Sequence, residues 1–459
     1  MPARHVNIIL MTACLSVLCY VVQRRTKTAM LVGDAIAMID AYYVDPVDRD
    51  ELILSAMNGM TQSLDEHSEF IAEQNYQAFQ DTIQQEFAGI GIYVEQPEPE
   101  EPVRVVTPLV GSPALTAGIL PGDRILRVEE EDVSSMSLPE VSKRLKGPVG
   151  TEILIGVKRG QEEIDLVVQR ARIEIDSVIG DYRDDKNRWV YRVQGEPDIA
   201  YLRLTSFGDR TTEELTAAFN SLQNDYQSLI LDLRGNGGGL LRTAVDVSNM
   251  FLSEGRIVST RTRGGKIEDQ FDATTGTLIR ESKPMAVLID QDSASASEIV
   301  AACLQDHERA IIVGKRSFGK GTVQNILPLQ YGRSALRLTV AKYYRPNGEN
   351  IHRKRDATDE DQWGVTPDSG FDVDLEESNL ERLAKRWREA SYPSLASISD
   401  DRTPAVSSET TEEQAGAANN QDVELSSNKN ESNDRLDTQL WAAVEALKTT
   451  KKMEPQSPK

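Results

Sequence analysis

Leu231-Asp232-Leu233-Arg234-Gly235-Asn236-Gly237-Gly238-Gly239-Leu240 carries an apolar run into a glycine-rich turn and then into helical spacing. Such a segment reads as a buried strand at 228–233, a turn, and a helix at 240–252. Glycines let backbone amides approach a ligand closely and point at negative charge. A tight left-handed turn joining strand to helix explains the same residues equally well, so the segment alone decides the fold and leaves its use open.

The same alternation extends outward. Strands are expected at 199–204, 285–290 and 310–313, and helices at 211–223 and 296–307, with further strand over Thr322–Tyr344 and a turn at Gly332. Alternating strands and helices imply an α/β layer fold. Upstream, 85–172 shows short strands at 103–107, 124–128, 152–158 and 164–169, a helix over Leu138–Lys146, and a polar, Pro-containing loop at Glu95–Pro102 that is expected to be mobile. Residues 28–84 carry apolar side chains at three- and four-residue steps and read as helical, with turns at Asp45-Pro46 and at 64–67. His67 reads there as a cap or packing residue. Toward the end, 380–388 and Leu436–Leu447 read as helices, the latter with Leu440, Ala443, Val444 and Leu447 on one face.

At 459 residues the chain exceeds one ordinary core. Its net charge of −22 disfavours nucleic acid as a partner, because phosphate binding needs Lys and Arg. Residues 394–434 hold nine acidic and two basic side chains (−9 + 2 = −7) and almost no large apolar ones, so an acidic disordered insert is expected. The three Cys, at 14, 19 and 303, form no disulfide framework. Val6–Val22 is an apolar run that reads as an uncleaved membrane anchor or a signal segment, a buried N-terminal helix being the blander alternative. Arg24, Arg25 and Lys27 follow the run and only Arg4 precedes it, so charge does not by itself place the body outside.

Two further segments can carry chemistry. Ser293-Ala294-Ser295-Ala296-Ser297-Glu298 follows the strand at 285–290 and starts a helix. Ser295-x-x-Glu298 is a ready capping box. A Ser at a strand-to-helix junction is also placed to act as a nucleophile, with neighbouring amides available to an oxyanion. Gly314-Lys315-Arg316-Ser317-Phe318-Gly319-Lys320-Gly321 approaches the phosphate-loop pattern, but Gly321 stands where Ser or Thr is needed and strand, not helix, follows. The nucleotide reading is therefore rejected, and no metal or other cofactor is implied. A nucleophilic Ser needs a base. None of His5, His67, His307 and His352 has a good claim, His307 lying about 18 Å down the helix that Ser295 would start. A Lys serves if its pKa is depressed by burial or nearby cations. Lys320 has glycine on both sides, Lys315 and Arg316 close by, and Gln324 four residues on.

Together these residues resemble the C-terminal processing peptidases, Ser/Lys-dyad serine proteases with a built-in PDZ domain. The resemblance covers about Tyr42–Asp374 and Asp437–Leu447. It adds Tyr42-Tyr43-Val44-Asp45-Pro46-Val47 and Leu64-Asp65-Glu66-His67-Ser68 in the helical region, Phe87-Ala88-Gly89-Ile90-Gly91-Ile92 at the PDZ entry, and Gly111-Ser112-Pro113-Ala114 with 117–125 in its body. It implies Ser295 as nucleophile rather than Ser293 or Ser297, Lys320 (320 − 295 = 25 positions on) as general base, Gln324 as its orienting group, and the amides of Ala296 and Gly238 as oxyanion hole. Phe87, Gly89, Ile90, Gly91 and Ile92 would bind the free C-terminus of a protein substrate. The implied organisation is a membrane anchor or signal segment at 1–27, a helical region at 28–84, a PDZ domain at 85–172, a crotonase-like α/β protease core at 173–375, a linker with the acidic insert at 376–434, and a C-terminal helix and tail at 435–459. The location would be extracytoplasmic, in the periplasm or cell envelope, with the membrane contacted through the N-terminal segment and homo-oligomerisation left open. Two departures stand out: Asn236-Gly237-Gly238 replaces a turn that carries Pro at its middle position in many relatives, and the acidic insert is long. A non-catalytic PDZ-bearing envelope scaffold is the main rival, and a carrier of hydrophobic ligands a weaker one.

Overall fold

The computed structural model describes residues 11–12, 16, 30–84, 86–275, 277–279, 282–358, 360–390, 392 and 436–453. They divide into two compact units, one drawn from 1–76 and 324–340, the other from 77–323 and 341–459.

In the first unit, helix Arg49–Gln62 starts at Asp48, whose carboxylate accepts from the amides of Asp50 (2.8 Å) and Glu51 (3.3 Å). The chain turns at Asp65, which accepts the His67 and Ser68 amides at 2.8 Å each. It then forms the strand Glu69–Ile71, antiparallel to Ala335–Arg337. The turn expected at 64–67 is present, and the helical reading of 28–84 is corrected at 69–71. A strand interrupts it because its pairing partner comes from a distant part of the chain, which local periodicity cannot register. His67 belongs to this turn, and its carbonyl accepts from Arg337 Nε at 3.3 Å.

Within the second unit, an antiparallel sheet runs in the order Ile92–Glu95, Arg104–Pro108, Arg124–Val128, Glu152–Arg159, Glu162–Gln169. Val105, Ile125, Ile153, Ile155 and Val168 fill its core with Val141 and Leu145 of the helix Leu138–Leu145. The loop at Glu95–Pro102 is pinned rather than loose. Gln96 Nε2 donates to the carbonyls of Glu101 (2.9 Å) and Met136 (3.0 Å), and its Oε1 accepts from Leu138 N at 2.9 Å.

A larger sheet has the order Val178–Ile179, Glu196–Leu204, Ser228–Asp232, Met285–Ile289, Ile311–Gly314, the last four parallel. Those four follow one another in sequence order. Right-handed crossovers then put every connecting helix on one face. Thr211–Ser221, Leu241–Asn249 and Ala296–Asp306 lie there, their Leu215, Phe219, Val247 and Val300 packing on Leu202, Leu229, Leu231 and Val287. Successive strand residues point to opposite faces, so Ile199, Tyr201, Ile230, Ala286 and Leu288 need another cover. The helix Thr438–Met453 supplies it with Leu440, Ala443, Val444 and Leu447. The chain is α/β, as expected. The hairpin Arg256–Arg261 with Ile267–Asp272 was not anticipated from sequence.

Parallel strands deliver their C-terminal ends to one edge, where ligand sites of such sheets lie. The glycine-rich turn leaves that edge after Asp232, the Ser segment after Ile289 and the Lys segment after Gly314.

Candidate active site

The strand Met285–Ile289 is buried at every residue and feeds a turn that ends at Ser295. Three serines at this strand-to-helix junction have different fates. Ser293 Oγ donates to Leu233 O (2.9 Å) and accepts from Asp290 N (3.0 Å). Ser297 Oγ donates to Asn236 O at 2.8 Å. Ser295 alone of the three sits at positive φ, with φ +55° and ψ −111°, just before helix Ala296–Asp306. A residue with a Cβ holds such a conformation at a cost of about 1–3 kcal/mol, and only where its surroundings enforce it. The geometry is that of a strained strand-to-helix elbow, which turns the hydroxyl out of both elements. Ser295 is 6% exposed, and its side chain interacts with the buried phenol of Tyr343. Burial pushes that phenol up to about 12, so it keeps its proton at neutral pH.

Glu298 is fully buried and accepts four hydrogen bonds. Oε2 takes the backbone amides of Ser295 and Lys320, each at 2.8 Å. Oε1 takes the Ser317 hydroxyl (2.6 Å) and the Gly319 amide (2.7 Å). Burial raises the carboxyl to about 7, against the four donors that favour its charged form. The capping box expected from sequence is present.

Lys320 is half-buried. Its flanking glycines do permit close packing: a Cβ on Gly321 would lie 2.2 Å from His352 N. The Arg353 amide donates to Gly319 O at 2.8 Å, so the charged loop holding His352 packs on the Lys320 segment. Lys315, expected as a nearby positive charge, is neutralised by partners. Its ammonium is paired with Asp372 and Asp374, both at 2.8 Å, and these hydrogen bonds raise its pKa. Arg316 stacks over Trp363, 4.8 Å from the ring centroid. Gln324 falls in the first unit, where its Nε2 donates to Thr339 Oγ1 at 3.1 Å. His307 is turned to the Arg256 carbonyl, 2.7 Å from its Nε2.

The glycine-rich turn is tied to the Ser segment. Asn236 O accepts from Ala294 N (3.0 Å), and Gly235 N donates to Asp290 Oδ1 (2.9 Å). Gly238 has φ +102°, and a Cβ there would stand 2.9 Å from Ser295 Cβ and 3.0 Å from Ala296 N. The two expected oxyanion donors thus adjoin one another, but they differ in state. Among the described residues the Ala296 amide meets no acceptor, whereas the Gly238 amide donates to Asn236 Oδ1 at 2.8 Å. In this arrangement Gly238 N–H is already committed. Asn236, Tyr343 and the reach of Glu298 were missed in the sequence; only Glu298 left a signal, its spacing from Ser295. Gly238→Ala is expected to displace Ser295 and cut kcat about 10²-fold. Peptide-cleavage rates read beside a thermal melt check this, and an unchanged kcat contradicts it.

In the small sheet, Ile92–Glu95 is an edge strand paired only with Arg104–Pro108. Before it, Glu86–Gly89 pairs with Ala171–Glu174, Phe87 lying opposite Ile173. Ile90 O accepts from Ala114 N and Gly91 O from Leu109 N, both at 3.0 Å. Gly89, Ile90 and Gly91 are buried and Ile92 is half-buried. An edge strand with a fixed loop at its start can receive an extended peptide as an added strand.

Residues 198–370 match peptidase family S41 and residues 104–159 match the PDZ domain. The chain is 38% identical over 400 residues to a carboxy-terminal-processing protease of Bartonella bacilliformis, covering 83% of this chain and 86% of that protein. It is 35% identical over 324 residues to the carboxy-terminal processing protease CtpA of Bacillus subtilis, covering 70% and 66%. Among solved structures, a photosystem II D1 C-terminal processing protease is similar at 27% identity and a TM-score of 0.42, covering 76% of this chain and 94% of that one. With Ser295 strained at the sheet edge, and with the family matches and the two curated relatives spanning both the sheet core and the smaller β unit, the chain belongs to peptidase family S41 and is a serine-type peptidase of the C-terminal processing group.

Proposed function

We propose that this peptidase cleaves polypeptides with Ser295 as nucleophile and Lys320 as general base, after capturing a substrate's free C-terminus on its PDZ domain. The observation that carries the reading is the strained Ser295 backbone, beside two serines whose hydroxyls are spent on backbone carbonyls. Support for Lys320 comes from its amide sharing the Glu298 carboxylate with the Ser295 amide. In the reaction, neutral Lys320 Nζ takes the Ser295 hydroxyl proton as Oγ adds to the scissile carbonyl. The oxyanion is held by the Ala296 amide, and by Gly238 once its amide leaves Asn236. Collapse expels the amine, which receives the proton from Lys320. Water, deprotonated by the same Lys, then releases the acyl group. Phe87, Gly89, Ile90, Gly91 and Ile92 form the mouth of the peptide groove, with the PDZ domain at 85–172 and the protease core at 173–375.

The protein would work outside the cytoplasm. The run Val6–Val22 lies almost wholly outside the described residues, and among the described residues no helix is long and apolar enough to cross a membrane. Anchoring therefore rests on sequence alone. A fluorophosphonate probe tests the catalytic part: it should label Ser295, and failure to label the folded protein favours the non-catalytic scaffold. For the PDZ part, a peptide with an apolar free C-terminus is compared with its C-terminal amide. Amidation should raise KM about tenfold, the worth of the lost charge-assisted hydrogen bonds, with kcat little changed. Equal KM values would remove C-terminal capture.

A further inference from the structure

Glu298 has no part in the proton transfers above, yet its carboxylate bonds both chemistry-bearing segments. The strand leading to Ser295 and the strand leading to Lys320 are neighbours in the sheet, paired over Ala286–Ile289 and Ile311–Gly314. Beyond the sheet edge the two continue as glycine- or serine-rich loops joined by two backbone bonds, Lys315 N to Ile289 O and Phe318 N to Ser293 O, each at 3.0 Å. Glu298 adds side-chain bonds to these, nearer Ser295 and Lys320. It lies on the first turn of the helix that Ser295 starts, fully buried. Oε2 holds one amide from each segment, Ser295 N and Lys320 N, both at 2.8 Å. Oε1 fastens the second segment again through Ser317 Oγ at 2.6 Å and Gly319 N at 2.7 Å. Ser317 is in turn fixed, its Oγ accepting the Val365 amide at 2.7 Å. A plain capping box needs only the Ser295 contact; the other three bonds run to residues 317–320 and have no capping purpose.

We infer that Glu298 is a positioning residue for catalysis, a single carboxylate that sets the spacing between the nucleophile backbone at Ser295 and the base backbone at Lys320. A shift of about 1 Å between such groups is enough to cost about 10²-fold in rate. The inference rests on the Ser295/Lys320 reading. It predicts an asymmetry: substrate capture on the PDZ domain should not feel Glu298, while the chemical step should.

The decisive variant is Glu298→Gln. In either orientation its amide nitrogen would face at least one N–H donor that now points at a carboxylate oxygen, so at least one segment is released. The expected result is a fall in kcat of about 10²-fold with KM within about twofold of wild type, and an equal slowing of fluorophosphonate labelling of Ser295. Glu298→Asp, one methylene shorter, should restore little of this. A kcat within about twofold of wild type in folded E298Q overturns the inference. Should E298Q not fold, Ser317→Ala carries the test. It removes one of the four donors and should lower kcat about tenfold at constant KM, and an unchanged kcat again overturns the inference. Ser295→Ala run alongside keeps the two readings apart. If that variant still cleaves, the dyad reading fails whatever Glu298 does; if it is dead while folded E298Q is fully active, only the positioning role fails.

Discussion

Ser295→Ala and Lys320→Ala are each expected to lower peptide cleavage about 10⁴-fold or more, and the double variant no further. Groups that act on one proton fail together: without the hydroxyl there is nothing to deprotonate, and without the amine the hydroxyl keeps its proton. Lys320→Arg should be as inactive as Lys320→Ala, because a guanidinium retains its proton and cannot serve as base. These losses should come with folded proteins, since Ser295 contributes little to the core beyond its backbone. Its conformation in fact works against stability. Replacing Ser295, at φ +55°, by glycine removes the strain on Cβ, and the inactive Ser295→Gly protein is expected to gain about 1 kcal/mol. Steady-state rates and urea unfolding on the same preparations read both quantities. Cleavage by Ser295→Ala or Lys320→Ala at the wild-type rate ends the dyad assignment, and a destabilised Ser295→Gly ends the claim of stored strain.

The main sheet was legible because its strands and helices alternate in sequence with the periods of the structures they form, and strand order follows chain order. What lay beyond reach was pairing between distant segments. Nothing local marks Glu69–Ile71 as the partner of Ala335–Arg337, or Asp372 and Asp374 as the acceptors of Lys315. A charge in a sequence carries a sign but no direction. The site shows the same limit more finely. Ser295-x-x-Glu298 offered two readings, cap or nucleophile, and the structure holds elements of both. The Glu takes the Ser295 amide as a cap would, and the Ser295 side chain also interacts with Tyr343. Gly238 was picked out by its glycine-rich setting, and it does abut Ser295. That its amide is taken by Asn236 Oδ1 depends on one side-chain torsion, which no spacing rule encodes.

Arg234→Met is expected to destabilise the protein by about 3–5 kcal/mol, the loss typical of breaking a buried ion pair from one side. The Arg234 side chain is fully buried, as is that of Asp232, and Asp437 is 2% exposed. Its guanidinium donates to Asp232 Oδ2 at 2.6 Å and to both Asp437 oxygens at 2.8 and 2.9 Å, with Gln439 Oε1 at 3.2 Å. Asp232 also accepts from the Tyr201 hydroxyl at 2.7 Å. Removing the cation leaves two buried carboxylates facing each other. Asp437 does a second job, capping the helix Thr438–Met453 by accepting from Leu440 N at 3.0 Å. The break should therefore spread to that helix, whose Leu440, Val444 and Leu447 cover the open face of the sheet at about 1.5–3 kcal/mol for each large side chain. Asp437→Ala should weaken the same docking, and the double variant should cost less than the two losses added, since both remove one network. Limited proteolysis should nick both variants near residue 436 before wild type. Activity should fall too, because Arg234 is the last residue before the glycine-rich turn, and its carbonyl accepts from Arg203 Nη2 at 3.2 Å. Urea unfolding of Arg234→Met within about 1 kcal/mol of wild type would show that the helix docks on its apolar face alone. Otherwise the network is what ties the far end of the chain to the base of the catalytic turn, so a peptidase whose last helix has not returned would lack a formed site.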